Sequence, residues 1–305
     1  MIAVIDFPKM LKMVFLGTLF IALSQSFRIN RRQPNTQLSR EMFNLMLRDF
    51  KTNSDNEQRM RILVLGGTGF VGKSVVEEAA DQGIEVCSLS RRGIPKECKN
   101  IDSVTWLAGD VSNSSVIEDA IKRYGPFDAC VHAIGILLDN DSGLSSLNQY
   151  ASGSGSVPGS SSTYDTVTRK TAFNAIETFS SLSKSSSSSS LFPFIFISAA
   201  EAGWTWKVPV EWLERYLRAK RAVEDKLLNT PGLRPVIFRP SLIWTWDKPE
   251  ALISVAPFTV ASIFLPFIDR PVMIKSLVKS ILRSIEREDV SGIKRFPDIE
   301  ELSQT

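Results

Sequence analysis

From residue 61 onward, apolar positions follow two alternating rhythms. Ile62-Leu63-Val64-Leu65 is a continuous aliphatic run that ends in glycines, the pattern of a strand buried on both faces. Phe70, Val71, Val75, Val76, Ala79 and Ala80 then recur at helical spacing. The alternation repeats down the chain. Strand-like runs fall at 84–90, 104–111, 129–135, 192–198 and 234–241, and helix-like stretches at 113–123, 164–183, 211–229 and 272–287. Strands alternating with helices predict an α/β fold with a doubly wound parallel sheet. Two stretches interrupt the rhythm. Residues 139–163 are rich in Ser, Gly and Asn without periodicity, and 180–190 contain the serine run Ser185 to Ser190. Both read as disordered insertions.

The first 58 residues do not share this pattern. An uncharged apolar run at 13–23 lies behind Lys9 and Lys12 and is followed by Ser24-Gln25-Ser26. It has the length of a signal-peptide core and is short for a membrane span. After Phe27 comes a stretch carrying Arg28, Arg31, Arg32, Arg40 and Arg48. We read 1–26 as a signal-like leader, 27–58 as a basic transit-like or disordered linker, and 59–305 as the folded domain. A signal, a Phe and a basic segment in that order resemble the bipartite plastid-targeting leaders of algae. An Arg-rich mitochondrial presequence is the other reading. Either predicts an organellar protein and not a secreted one.

Charge narrows the partners. Residues 1–60 hold nine Lys and Arg against five Asp and Glu, so the net charge of +3 belongs to the extension. The body offers no general nucleic-acid surface. Cys87, Cys98 and Cys130 have no metal-like spacing, and His132 is the single histidine. No metal site is expected, and the thiols read as reduced and packed.

The candidate chemistry begins at the glycine turn. Gly66 permits a sharp exit from the strand, Gly69 lets a phosphate approach the backbone, and Gly72 lets the following helix pack close. The N-terminus of that helix suits a pyrophosphate. The next strand ends in Ser90-Arg91-Arg92. No carboxylate stands there for ribose hydroxyls, and two guanidinium groups are available to a 2′-phosphate. This favours NADP(H) over NAD(H). Asp110 ends the third strand, where it can accept from adenine or help cap the next helix from Ser112 or Asn113. Tyr216 and Lys220 lie four apart on a helix, so both face one way, and the ammonium can depress the phenol pKa. The uncharged stretch 251–268, interrupted by Pro257 and Pro266, reads as an apolar lid, a lipid contact or a partner surface.

The ordered set Gly66-Gly67-Thr68-Gly69-Phe70-Val71-Gly72, Ser90-Arg91-Arg92, Gly109-Asp110-Val111, His132-Ala133-Ile134-Gly135, Ser198, Tyr216 to Lys220 and Phe238-Arg239-Pro240-Ser241 resembles the short-chain dehydrogenase/reductase superfamily in its extended and atypical branches. Within it the chain is most similar to relatives of the dehydrogenase-like accessory subunit of respiratory complex I and of an accessory protein of coenzyme Q synthesis. The resemblance implies a Rossmann fold that binds NAD(P). It places Gly66, Thr68, Gly69, Phe70, Val71 and Gly72 at the pyrophosphate, and Arg91 and Arg92 at the adenosine phosphate. It places Asp110 and Val111 at adenine, Ala133 and Gly135 along the cofactor, and Pro240 beside the nicotinamide. Ser198, Tyr216 and Lys220 match the superfamily's catalytic Ser, Tyr and Lys. One departure stands out: Thr168 or Arg169 occupies the place of the structural Asn. The implied functions are a reductase or dehydrogenase on a quinone- or isoprenoid-like substrate, or a catalytically silent dinucleotide-binding subunit of a membrane-associated complex such as ubiquinone synthesis or complex I. A nucleotide-sugar epimerase or dehydratase ranks third.

Overall fold

A computed structural model describes residues 59–96, 98–99, 101–142, 162–185, 190–247 and 269–305. The leader, the interiors of both predicted insertions and the apolar stretch 251–268 lie outside the described residues. All of those described fall in one unit, Arg59–Thr305.

The first aliphatic run forms β1 (Arg61–Leu65), with Ile62 to Leu65 fully buried. The other strands of the main sheet are β2 (Glu85–Ser90), β3 (Val104–Ala108), β4 (Ala129–His132), β5 (Phe192–Ile197), β6 (Leu233–Phe238) and a short strand at Gly292–Lys294. Their order across the sheet is β3-β2-β1-β4-β5-β6, then the short strand, and every neighbour pair is parallel. The sheet thus runs one way from β1 and then doubles back through β4. The crevice between β1 and β4 is the switch point where such folds take ligands.

Because side chains alternate along a strand, β1 supplies two cores. Ile62 and Val64 pack on one face against Val75, Val76 and Ala79 of α1 (Phe70–Asp81). Leu63 and Leu65 pack on the other, against Ile117 of α2 (Ser114–Tyr124), Ile176 of α3 (Thr171–Ser185) and Val223 and Leu227 of α4 (Glu211–Leu228). Cys87 and Cys130 sit on the strands either side of Leu63 and are buried. Burial pushes the Cys87 thiol up to about 12.

Several boundaries differ from the sequence reading. Asp139 and Ser162, at the two margins of the first predicted insertion, are both buried. Helix α3 runs on to Ser185 and buries Ser180, whose hydroxyl donates to the Pro231 carbonyl at 2.8 Å. The segment before α3 is a π-helix, Asp165–Lys170. A two-stranded parallel pair forms between β7 (Ile243–Trp244) and β8 (Val272–Met273).

The C-terminal end holds an element that the hydrophobic pattern did not predict. After α5 (Ile274–Glu286), the strand β9 (Gly292–Lys294) adds a seventh member to the sheet, and α6 (Phe296–Gln304) follows. Three residues are too few for a period-two signal. Helix α6, also not predicted, starts with Pro297 in its first turn and the Asp298 carboxylate accepting the Arg295 N–H at 2.8 Å. Arg234 of β6 secures this end. Its buried guanidinium donates to the carbonyls of Ser284, Ile285, Arg287 and Val290, satisfying acceptors that the end of α5 leaves open.

Candidate functional site

Strand register brings the candidate residues to one edge. Leu65 is level with Leu89 and His132, His132 with Phe196, and Ile197 with Phe238. The residues that follow these strand ends therefore emerge together: Gly66, Arg91, Ala133, Ser198 and Arg239.

The turn after β1 is backbone-built. Gly66 has φ +91°, a conformation that disfavours any side chain, and its N–H donates to the Leu89 carbonyl at 2.8 Å. A Cβ on Gly72 would stand 2.3 Å from the Gly66 carbonyl oxygen, so α1 packs on the turn only with glycine there. A Cβ on Gly67 would meet Ser88 Oγ at 2.1 Å. Gly67 is a constraint that the sequence reading assigned no role. Gly69 differs: a Cβ there would have only the Gly66 carbonyl oxygen close by, at 3.2 Å. It is the N-cap of α1 without a side-chain hydrogen bond, and no acidic residue stands in the first turn. Phe70 and Val71 pack against the core behind the turn. This cradle, at the N-terminus of a helix, fits a dinucleotide phosphate.

The flanking loops differ in detail. Arg92 Nη2 donates to the Thr68 carbonyl at 3.1 Å, which holds a guanidinium against the glycine turn. Arg91 is exposed. The Asp110 carboxylate accepts the Ser112 N–H at 2.9 Å, while Asn113 caps α2 through the Ser115 N–H. Val111 is buried. Asn174 of α3, absent from the sequence reading, donates to the carbonyls of Val111 and Ser112 at 3.1 and 2.8 Å. No sequence signal says which carbonyls a lone helical Asn will reach.

Across the crevice, Ala133 N–H donates to the Leu65 carbonyl at 2.9 Å. Lys220 Nζ lies 3.5 Å from where a Gly135 Cβ would stand, so α4 and the exit of β4 meet there. Lys220 is 4% exposed and donates to the Ile197 carbonyl at 2.7 Å. Its Nζ is 4.9 Å from the Phe196 ring centroid and 5.7 Å from that of Tyr216. Burial lowers its pKa to about 8, against the pull of Glu224. Complete burial, helped by the same ammonium, brings His132 down to about 3, so the imidazole is neutral, with Nε2 at 3.0 Å from Thr171 Oγ1. Ser198 is the first residue past β5. Its N–H donates to the Phe238 carbonyl at 2.7 Å, and its buried Oγ has no partner. Ser241 Oγ is likewise buried and unpartnered. Pro240, buried just before Ser241, accepts the Ala200 N–H on its carbonyl at 2.9 Å.

The phenol of Tyr216 is not depressed. Burial, Glu201 and Tyr164 push it above the ordinary tyrosine value, and Lys220 turns its ammonium to a backbone carbonyl. Tyr164 meets Tyr216 edge-on, with centroids 5.6 Å apart. Of the two residues at the structural-Asn position, Thr168 faces inward, fully buried with an unpartnered Oγ1. Arg169 pairs with Asp165 at 3.2 Å on the outside.

The model of the NAD dependent epimerase/dehydratase family matches residues 62–152, which contain the glycine turn and the first four strands. Over that stretch the chain is similar to the epimerase/dehydratase branch of the short-chain dehydrogenase/reductase superfamily. The fold agrees with that of solved dinucleotide-bound structures. The Bordetella bronchiseptica enzyme WbmH in complex with NAD+ has a TM-score of 0.53 at 15% identity, covering 81% of this chain and 80% of that one. ElxO with NADP bound has a TM-score of 0.53 at 17% identity, covering 78% and 97%. Among sequence relatives, MIOREX complex component 2 of Saccharomyces cerevisiae is 24% identical over 282 residues, 78% of this chain and 98% of that protein. An uncharacterised chloroplastic protein of Arabidopsis thaliana is 52% identical over 52 residues, 17% of this chain and 18% of that protein. An isoflavone reductase homologue of Nicotiana tabacum is 35% identical over 86 residues, 26% of this chain and 27% of that protein.

Proposed function

We propose that this chain is an NADP(H)-dependent reductase of an organelle, acting on an apolar carbonyl compound of quinone or isoprenoid type. The observation that carries the reading is the buried Lys220, lodged between Gly135, Ile197 and the Tyr216 ring, opposite a glycine cradle for phosphates. When bound, a nicotinamide dinucleotide supplies or takes the hydride. Gly66 to Gly72 hold its pyrophosphate, Arg92 and Arg91 meet the 2′-phosphate, and Lys220 takes the ribose. Asp110 and Val111 line adenine, and Ala133 and Pro240 bound the rest. Tyr216, kept protonated by its surroundings, is suited to give its proton to a carbonyl oxygen, and Ser198 Oγ is free to donate to the same oxygen. Apolar specificity draws support from Trp204, which like Tyr216 packs against the cluster of Ala199, Ala202, Val208 and Leu217, and which stacks on Trp206 at 4.7 Å. The leader and the chloroplastic relative support an organelle.

A second reading is favoured by two observations. The Tyr216 phenol is not activated as a base, and the yeast relative is by name a component of a complex. In this reading the dinucleotide is a structural or sensing ligand, and 251–268 contact the partner or a membrane. The match to the epimerase/dehydratase model stops at residue 152, so it speaks for the cofactor half and not for a sugar-nucleotide substrate.

The test is a thermal-shift titration of the full chain with NADPH, NADP, NADH and NAD, beside Gly69→Asp. Stabilisation by the phosphorylated pair, lost in the variant, is expected. No shift with any of the four would sink the dinucleotide reading.

A further inference from the structure

Tyr216, Lys220 and Glu224 are spaced by four along α4 and so share a face. The first two belong to the site just described. The third is 3% exposed and is gripped from β6 by Arg239, itself only 15% exposed. The grip is bidentate, Nε to Oε1 at 3.0 Å and Nη2 to Oε2. Arg239 occupies a crowded junction. Its N–H donates to the Lys294 carbonyl at 2.8 Å, and a Cβ on Gly203 would lie 3.0 Å from its Nη1. The pair therefore ties α4 to the end of β6, to β9 and to the turn that follows Ser198.

From this geometry we propose that the Glu224–Arg239 pair is the positioning device of Lys220. It seats the helix face that delivers the ammonium to the dinucleotide and places a counter-charge one turn behind it. The inference rests on the dinucleotide reading above. Breaking a buried pair normally costs stability alone. Here it has a second consequence, because the carboxylate helps keep Lys220 charged. Among the described residues, the other titratable groups facing Lys220 are His132 from β4 and Tyr216 from its own helix. The first titrates near 3 and the second above the ordinary tyrosine range, so neither contributes between neutral and mildly alkaline pH.

The experiment measures NADPH affinity of the full chain against pH. In the native chain affinity falls as pH rises through the Lys220 pKa, about 8 before ligand binds. Glu224→Gln keeps the volume and a hydrogen bond to Arg239 but removes the charge. Its alkaline limb is expected about one pH unit lower, with affinity about tenfold weaker than native at about pH 9 and within about twofold at pH 7. Lys220→Met is expected to abolish the limb, and adding Glu224→Gln to it is expected to leave the profile flat. A Glu224→Gln limb that coincides with the native one, or a shift that persists without Lys220, overturns the proposal. Should Glu224→Gln not fold, Glu224→Asp keeps the charge at shorter reach. It is expected to move the limb the same way by less, and an unmoved limb there overturns the proposal equally. A native chain that binds no dinucleotide at any pH overturns the function itself, an outcome distinct from the other two.

Discussion

The glycine turn after β1 and the side-chain cluster at the ends of β5 and β6 lie on the same edge of one sheet but are made of different material. The turn is backbone. Gly66 sits at φ +91°, and Gly67 and Gly72 leave no room for a methyl group. Its donors are the N–H groups of a helix start, which need no neighbour to orient them. The cluster is side chain. Lys220 comes from α4, the carbonyl that receives it from β5, and the Gly135 gap it faces from the exit of β4. Its charge state depends on burial and on Glu224, and so on the packing of three elements. A backbone site therefore fails by steric insertion, whereas a packed polar site fails by deletion or by a change of protonation.

Substitutions that touch only one of the two ends test this difference. The largest effect is expected at the polar end. Tyr216→Phe should lower turnover by about a thousandfold while NADPH affinity stays within about twofold, as loss of a general acid predicts. Steady-state kinetics beside a binding titration checks it, and unchanged turnover would remove Tyr216 from the chemistry. Next is Gly72→Ala at the turn. The added carbon must displace the Gly66 carbonyl or the helix, so a loss of about 3 kcal/mol in urea unfolding is expected, with the dinucleotide shift lost as well. A stability within about 0.5 kcal/mol of native would mean that the turn is looser than described.

A third prediction concerns pH. His132 is held neutral to about 3 when folded, below the ordinary value it regains on unfolding. Between those values the unfolded chain binds the extra proton, so stability from this group is present above about pH 6.5 and lost as pH falls. About 2 kcal/mol should disappear between pH 7 and pH 5, and His132→Gln should flatten that slope in acid-unfolding titrations. An equal slope in the variant would assign the acid sensitivity elsewhere. The smallest effect is expected at the flank of the turn. Arg92→Ala should narrow the preference for NADPH over NADH by about tenfold with little change in NADH affinity. Equal losses for both cofactors would mean that Arg92 shapes the turn through Thr68 and does not read the 2′-phosphate.

The backbone half of the site was legible in the sequence because its signals are local. An aliphatic run, a glycine turn and an amphipathic helix are read within about twenty consecutive residues. The polar half was legible only as a spacing. Tyr216 and Lys220 could be placed on one helical face, but the pH range in which each ionises could not. The reading that the ammonium depresses the phenol gave way because Lys220 donates to Ile197, while burial above all, with Glu201 and Tyr164, raises Tyr216. Asn174, Arg234 and the Glu224–Arg239 pair left no signal, since each bonds a partner at least 15 residues away along the chain. The strand β9 went unseen because it is short and lies at the sheet edge, with Ile293 37% exposed.

What the sequence determined by itself is the alternation of strands and helices, the place of the glycine turn and the helix face that carries Tyr216 and Lys220. These depend on short-range sterics and on hydrophobic period, which act between near neighbours. The tertiary structure alone decided which strand ends stand together, which side chains lose water and which charges meet. Desolvation and charge pairing are set by groups distant in sequence, and they exist only once the sheet has been assembled.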